Sequence, residues 1–271
     1  MMARLDRFLS LIGTRPLLMG ILNVTPDSFS DGGRFFSPKA AMAHARALAE
    51  GGADIIDVGA ESTRPGHTPV AEEEELARLD PLLGELTAAI DLPFSVDTSK
   101  ARVARRAAGL GACVINDVWG FQKDPAMAGT VAETGAAAVL MHNRAETDPD
   151  IDILAEMRRF FDRSLRLAED AGIPRARLIL DPGIGFGKTR AQNFTALAHL
   201  SALRDYGLPL LVGVSRKSLL AAPGAMPDEM TLIRTVAANL AASLRGASIF
   251  RVHDPAEHLA AFKVFDAIAR H

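Results

Sequence analysis

A single cysteine, Cys113, stands in a chain of 271 residues. That excludes an intrachain disulfide and a metal site built from several thiolates. Cys113 lies in the run ACVIND, where a small buried side chain is expected rather than a reactive thiol. Neither sign of charge is in excess: 30 Lys and Arg against 33 Asp and Glu give a net charge of -3. With no basic field and no Lys/Arg block, nucleic acid is not an expected partner. No apolar run approaches the ~18 residues of a membrane span. The start, MMARLDRFLSLIGTRPLL, lacks an uninterrupted apolar core with a small-residue cleavage site. A membrane is therefore not an expected partner, and the expected location is cytoplasmic. Linkers, low-complexity tracts and charge blocks are also lacking, so one domain over residues 1–271 is expected.

What is present is apolar residues, 48% of the chain, enough to bury a large core. They recur as strand-length runs: PLLMGILNV, ADIIDVG, PFSVDT, CVINDV, AAVLMH, RLILDPG, LPLLVGVS and SIFRVHD. Between them lie alanine-rich amphipathic segments of helical period, for example residues 38–51 and 152–172. Continuous apolar runs are what strands buried on both faces look like, and strand–helix alternation gives a parallel sheet. Eight such units predict an α/β fold, a single (β/α)8 TIM barrel with long loops after strands 1 and 2. The alternative is a doubly wound open sheet. That fold usually carries a glycine-rich nucleotide fingerprint on its first turn, which Gly20 and the following NVTPD do not match.

The polar residues collect at the C-terminal ends of these runs: Asn23, Asp57 with Glu61, Asp97, Asn116 with Asp117, His142, Asp181, Lys217 with Arg216, and Arg251 with His253. In a barrel those eight ends open on one face, so residues remote in sequence converge on one pocket. Any one of them, Asp57 or Asp117 for instance, can equally serve as a cap or turn former. Thr98 and Lys100 read as a helix start, Trp119 and Met141 as packing, and His44, His67, His199 and His258 as surface. The first strand runs into GILNVTPDSFSDGG, whose Pro, Asp, Ser and paired Gly make a long polar loop. DPGIGFGKT ends like a phosphate loop, but Pro182 stands where that motif needs its first glycine. Its glycines are expected to let the backbone approach a flat ligand beside Phe186. Cationic donors (Arg64, Lys217, Arg251, His253) and acceptors (Asp97, Asn116, Asp181) together suit an anion and a polar heterocycle.

In order along the chain, GILNVTPDSFSDGG, IDVGAESTRPG, VDT, IND, LMH, DPGIGFGKT, GVSRKS and RVHD resemble the motifs of the dihydropteroate synthase family of pterin-binding enzymes over essentially the full length. The resemblance implies a (β/α)8 barrel. It also implies a Mg2+-dependent condensation of 6-hydroxymethyl-7,8-dihydropterin diphosphate with p-aminobenzoate, giving 7,8-dihydropteroate and diphosphate. A pterin-dependent methyltransferase shares the barrel and the pterin edge, but SRKS and RVHD argue against it because that reaction has no diphosphate to hold.

Residue roles follow from the same resemblance. Asp97, Asn116, Met141, Asp181, Lys217 and Arg251 are implied at the pterin. Asn23, Thr63, Arg64, Arg251 and His253 are implied at the diphosphate, with Asn23 also at Mg2+. Asp31, Arg64, Pro65, Phe186, Lys217 and Ser218 are implied at p-aminobenzoate, under a lid formed by the first two loops. The catalytic set is Asn23, Asp97, Lys217, Arg251 and His253. A homodimer through the last helices is implied as well; the small-residue face of VAANLAASLRG permits close helix packing.

Overall fold

The structure, a computed structural model, describes residues 1–24, 38–61, 70–221 and 229–269. Eight parallel strands close into a barrel in sequence order: β1 (Leu17–Asn23), β2 (Ile55–Gly59), β3 (Phe94–Asp97), β4 (Val114–Asp117), β5 (Ala137–Met141), β6 (Leu178–Asp181), β7 (Leu210–Val212) and β8 (Ala247–Val252). β1 pairs with both β2 and β8, which closes the ring. Each expected strand is present, although β7 keeps only three residues of its apolar run, with a register irregularity at Leu210/Leu211 against β8.

Helices fill the intervals: α1 (Met2–Leu11), α2 (Pro38–Glu50), α3 (Glu72–Ala89), α4 (Ala101–Gly109), α5 (Met127–Thr134), α6 (Ile153–Asp170), α7 (Arg190–Ala198), α8 (Thr231–Ser243) and α9 (Pro255–Ala269). Local chemistry sets their starts. Asp152 accepts the Leu154 and Ala155 N–H groups at 3.0 and 3.2 Å, satisfying two of the orphan donors of α6. Thr189 opens α7 in a reciprocal box with Gln192. The GKT ending that imitates a phosphate loop is therefore a helix cap.

The barrel interior changes character from bottom to top. Leu5 and Phe8 of α1 join Leu17, Met19, Ile55, Val114, Val139, Ile179, Leu211 and Ile249 in one buried cluster. Each such side chain contributes roughly 1.5–3 kcal/mol by leaving water. Above them the register brings polar residues side by side. Asp57 and Ser95 stand side by side on β2 and β3, and Asn23, Gly59, Asp97 and Asn116 form the next row up across β1 to β4. Polar groups buried at this depth need partners within the protein or in a ligand. Among the described residues, no helix is long and apolar enough to cross a membrane.

Candidate active site

Arg251 organises the upper tier. Its Cα is in register with Met19, and Met19 with Ile55, two strand residues (about 6.6 Å) short of Asp57. A long side chain spans that gap. Nε of Arg251 donates to Asp57 Oδ2 at 2.6 Å, and its terminal nitrogen donates to Asp97 Oδ2 at 3.0 Å. Asp57 is fully buried and also accepts from Ser95 Oγ at 2.6 Å and Asn116 Nδ2 at 3.2 Å. One guanidinium thus faces two buried carboxylates. Burial pushes the Asp97 carboxyl up, to about 8, with Asp57 adding to the effect and Arg251 opposing it.

Asp97 Oδ1 and Asn116 Oδ1 are buried and have no hydrogen-bond partner. Their residues are paired in register on adjacent strands. Gly59 sits between Asn23 and Asp97, and a Cβ there would lie 3.6 Å from Asn23 Oδ1 and 3.7 Å from Asp97 Cβ. Asp181 ends β6 with its Oδ1 accepting the Gly183 N–H at 2.7 Å, and burial raises its pKa. Met141 is buried at the end of β5 in register with Asp181. The half-buried Lys217 donates its ammonium to the Ile184 carbonyl and lies 4.6 Å from the centroid of the Phe186 ring. Burial pushes its pKa down to about 8, with Asp181 pulling the other way. Ser218, exposed, follows in a short 3-10 turn.

His253 follows β8. Ser215 Oγ accepts the His253 backbone N–H at 3.2 Å and lies 2.9 Å from its Nδ1. That pattern lets the hydroxyl donate to Nδ1 and places the imidazole proton on Nε2, a donor suited to an anion. Asn23 is half-buried at the end of β1. Asp31, Thr63, Arg64 and Pro65, and with them both expected lid loops, lie outside the described residues.

A cleft of about 290 Å³ opens beside Asp97 and Thr98 and runs past Phe186 and Lys188 to Trp119, Lys123 and Arg144. Of the residues implied at the substrates, Asp97 and Phe186 line it.

Two readings need correction. The glycines of DPGIGFGKT serve close packing of protein on protein. A Cβ on Gly183 would lie 1.8 Å from the His142 carbonyl oxygen, one on Gly187 2.5 Å from Arg144, and one on Gly185 3.2 Å from the Lys217 stem. Positive φ at all three agrees with glycine there. His258 is buried rather than on the surface, its Nδ1 2.7 Å from the Asp254 carbonyl. Of the two residues left open between cap and site, Asp57 is the hub of the buried network, and Asp117 caps its turn, accepting from the Trp119 and Phe121 N–H groups at 2.9 and 2.7 Å.

Sequence reasoning also missed Ser95, Ser215 and the ion cluster in which Lys100 joins Glu61 to the buried Glu75. Ser95 did leave a signal: a hydroxyl inside an apolar run, two residues before Asp97 and so on the same face.

A closed parallel barrel whose polar tier lies at the C-terminal strand ends, with unpartnered acceptors beside lysine and arginine, has the form of an enzyme active site. The chain belongs to the pterin binding enzyme family, which matches residues 19–253. It is 44% identical over 260 residues to the dihydropteroate synthase of Clostridium beijerinckii, a match covering 96% of each chain. A dihydropteroate synthase structure from Clostridium difficile, solved in the presence of pteroic acid, superimposes with a TM-score of 0.91. It is 44% identical, and the match covers 96% of this chain and 99% of that one. The Xanthomonas albilineans dihydropteroate synthase with 4-aminobenzoic acid gives a TM-score of 0.89 at 46% identity, covering 94% and 93% of the two chains. In complex with 7,8-dihydropteroate it gives 0.86 at 44% identity, covering 94% of each.

Proposed function

We propose that this chain is a dihydropteroate synthase. It joins the exocyclic methylene of 6-hydroxymethyl-7,8-dihydropterin diphosphate to the amine of p-aminobenzoate, releasing diphosphate and a proton. The observation that carries this reading is the pair of unpartnered buried oxygens, Asp97 Oδ1 and Asn116 Oδ1, beside Arg251. Buried acceptors left unmatched cost about 1–3 kcal/mol each, which the amino and ring N–H groups of a pterin would recover. The relatives' complexes with 4-aminobenzoic acid and 7,8-dihydropteroate support the same substrate and product.

In this reading Asp181 pairs with the pterin amino and ring N–H groups, and Asn116 and Asp97 complete the edge. Met141 and Phe186 wall the ring, and Lys217 reaches its carbonyl side. Departure of diphosphate leaves positive charge delocalised from the methylene into the ring, and buried carboxylates stabilise that charge without forming a covalent bond. Arg251 and His253 hold the leaving anion, together with Thr63 and Arg64. The amine of p-aminobenzoate, seated by Phe186, Lys217, Ser218, Asp31, Arg64 and Pro65, then attacks the methylene carbon.

Asn23 fits a Mg2+ ion, because it offers one neutral amide oxygen where the diphosphate itself brings the negative charge, and Mg2+ takes few protein ligands beside phosphate oxygens and waters. When bound, the ion would neutralise charge on the departing diphosphate. Asn23 therefore orients that anion without repelling it.

A homodimer and a cytoplasmic setting belong to the same proposal. Ile233 of α8, Leu244 at its C-terminal cap, and Val264 and Ile268 of α9 are 57, 72, 62 and 71% exposed on two helices that pack together, an apolar surface suited to a second copy. Incubating the purified protein with both substrates and Mg2+ should yield dihydropteroate and diphosphate in equal amounts. A folded protein that yields neither would refute the assignment.

A further inference from the structure

Lys188 is only 7% exposed, yet its ammonium meets carbonyl oxygens and not carboxylates among the described residues. Nζ donates to Gly183 O at 2.7 Å, Phe186 O at 3.1 Å and His142 O at 3.4 Å. The first two belong to the segment joining β6 to α7, and the third to the end of β5. Burial pushes this amine down to about 7, although Asp181 favours its charged form. A lysine kept at such a desolvation cost needs a reason beyond filling space.

The reason lies in what those carbonyls carry. Gly183 presents its N–H to Asp181 Oδ1 at 2.7 Å, while its carbonyl accepts both Lys188 and the Phe186 N–H, the latter at 3.1 Å. Both faces of this one residue are therefore committed, one to the site carboxylate and one to Lys188. Gly183 also lies so close to the His142 carbonyl that a Cβ would not fit, so the segment has a single seat. Lys217 grips the same segment at Ile184 O and stands over Phe186. Asn193 completes the frame, accepting the Gly185 N–H at 2.6 Å and donating to Thr189 O at 2.9 Å.

We propose that Lys188 is a positioning residue. By holding the 183–186 backbone against His142, it sets the Gly183 N–H that orients Asp181. This rests on the reading of Asp181 as the pterin-pairing carboxylate. Fixing a partner group in advance removes an ordering cost at binding, so the effect of Lys188 should appear in ligand affinity and should pass through Asp181.

The test is a double-mutant cycle read by calorimetry with a pterin that lacks phosphates. Lys188→Met should weaken binding tenfold or more, and Asp181→Ala should do the same. The double variant should bind within threefold of Asp181→Ala alone, because the lysine acts only through that carboxylate. Lys188→Arg, which keeps a donor fork for the same carbonyls, should bind within fivefold of the parent. If Lys188→Met does not fold, Lys188→Gln replaces it in the same cycle. Losses that multiply in the double variant would overturn the proposal, as would a Lys188→Met protein that binds within threefold of the parent while melting earlier. Failure of the unmodified protein to bind the pterin would instead overturn the pterin assignment of the site.

Discussion

Asp57 and Arg251 are 194 residues apart in sequence and joined by a 2.6 Å ion pair at the centre of the barrel. Asp57 gathers three donors, from Arg251, Ser95 and Asn116. Arg251 in turn reaches Asp97, so this pair ties together Ser95, Asp97 and Asn116 on β3 and β4. Such a network is costly to leave half satisfied.

Asp57→Ala should accordingly destabilise the fold by about 3 kcal/mol, within the range for breaking a buried pair. Urea unfolding checks the magnitude. The same variant should lower the Asp97 pKa, since the Asp57 charge raises it and Arg251 would then face one carboxylate. Carboxyl NMR of Asp97 that shows no downward movement would separate the two groups electrostatically.

Asp181→Ala should remove a charge-assisted pairing to the pterin and leave ring N–H groups without an acceptor. The expected loss of pterin affinity is on the order of 2–4 kcal/mol. Unchanged affinity in a folded variant would remove Asp181 from the pterin edge.

His253→Ala should weaken diphosphate binding and turnover and spare a pterin without phosphates, because its imidazole is held by Ser215 outside the Asp57–Asp97–Asn116 tier. Ser215→Ala should reproduce part of the loss by releasing Nδ1 from its partner. Equal weakening of both ligands by His253→Ala would make the residue structural.

The barrel was legible because buried parallel strands advertise themselves as apolar runs, and the strand ends because polar residues interrupt those runs. Pairing was not legible. Nothing in RVHD indicates that Arg251 turns to Asp57, and nothing in DPGIGFGKT indicates that Lys188 binds three carbonyls, since backbone acceptors carry no residue signature. α1 went unread for a related reason. MARLDRFLSL has two residues, Leu5 and Phe8, that only the open lower end of a barrel would bury. His258 misled because one histidine on a helix looks the same in sequence whether its ring faces water or the core.

His142 should make stability fall on the acid side. It is fully buried beside Phe160 and Phe161, with neither ring nitrogen hydrogen-bonded. Burial first, then the nearby Lys188 and Arg144, push its pKa down to about 2. Above the ordinary histidine value of about 6.5 the ring is neutral in both the folded and unfolded chains, and it contributes no pH dependence. As pH falls below that value the unfolded chain takes up a proton that the folded one refuses, so unfolding becomes more favourable by about 1.4 kcal/mol per pH unit until the folded value is reached. Phenylalanine has a similar shape and would join the same aromatic cluster, while the backbone bonds of residue 142 to Asp181 and Lys188 do not depend on its side chain. His142→Phe removes two buried ring nitrogens without partners, so it should be at least as stable as the parent near pH 7.5, and the gap should widen progressively between pH 6.5 and 4.5 in urea unfolding. Parallel curves for the two proteins over that range would show that the ring gains its proton without cost and that its burial is not sustained in solution.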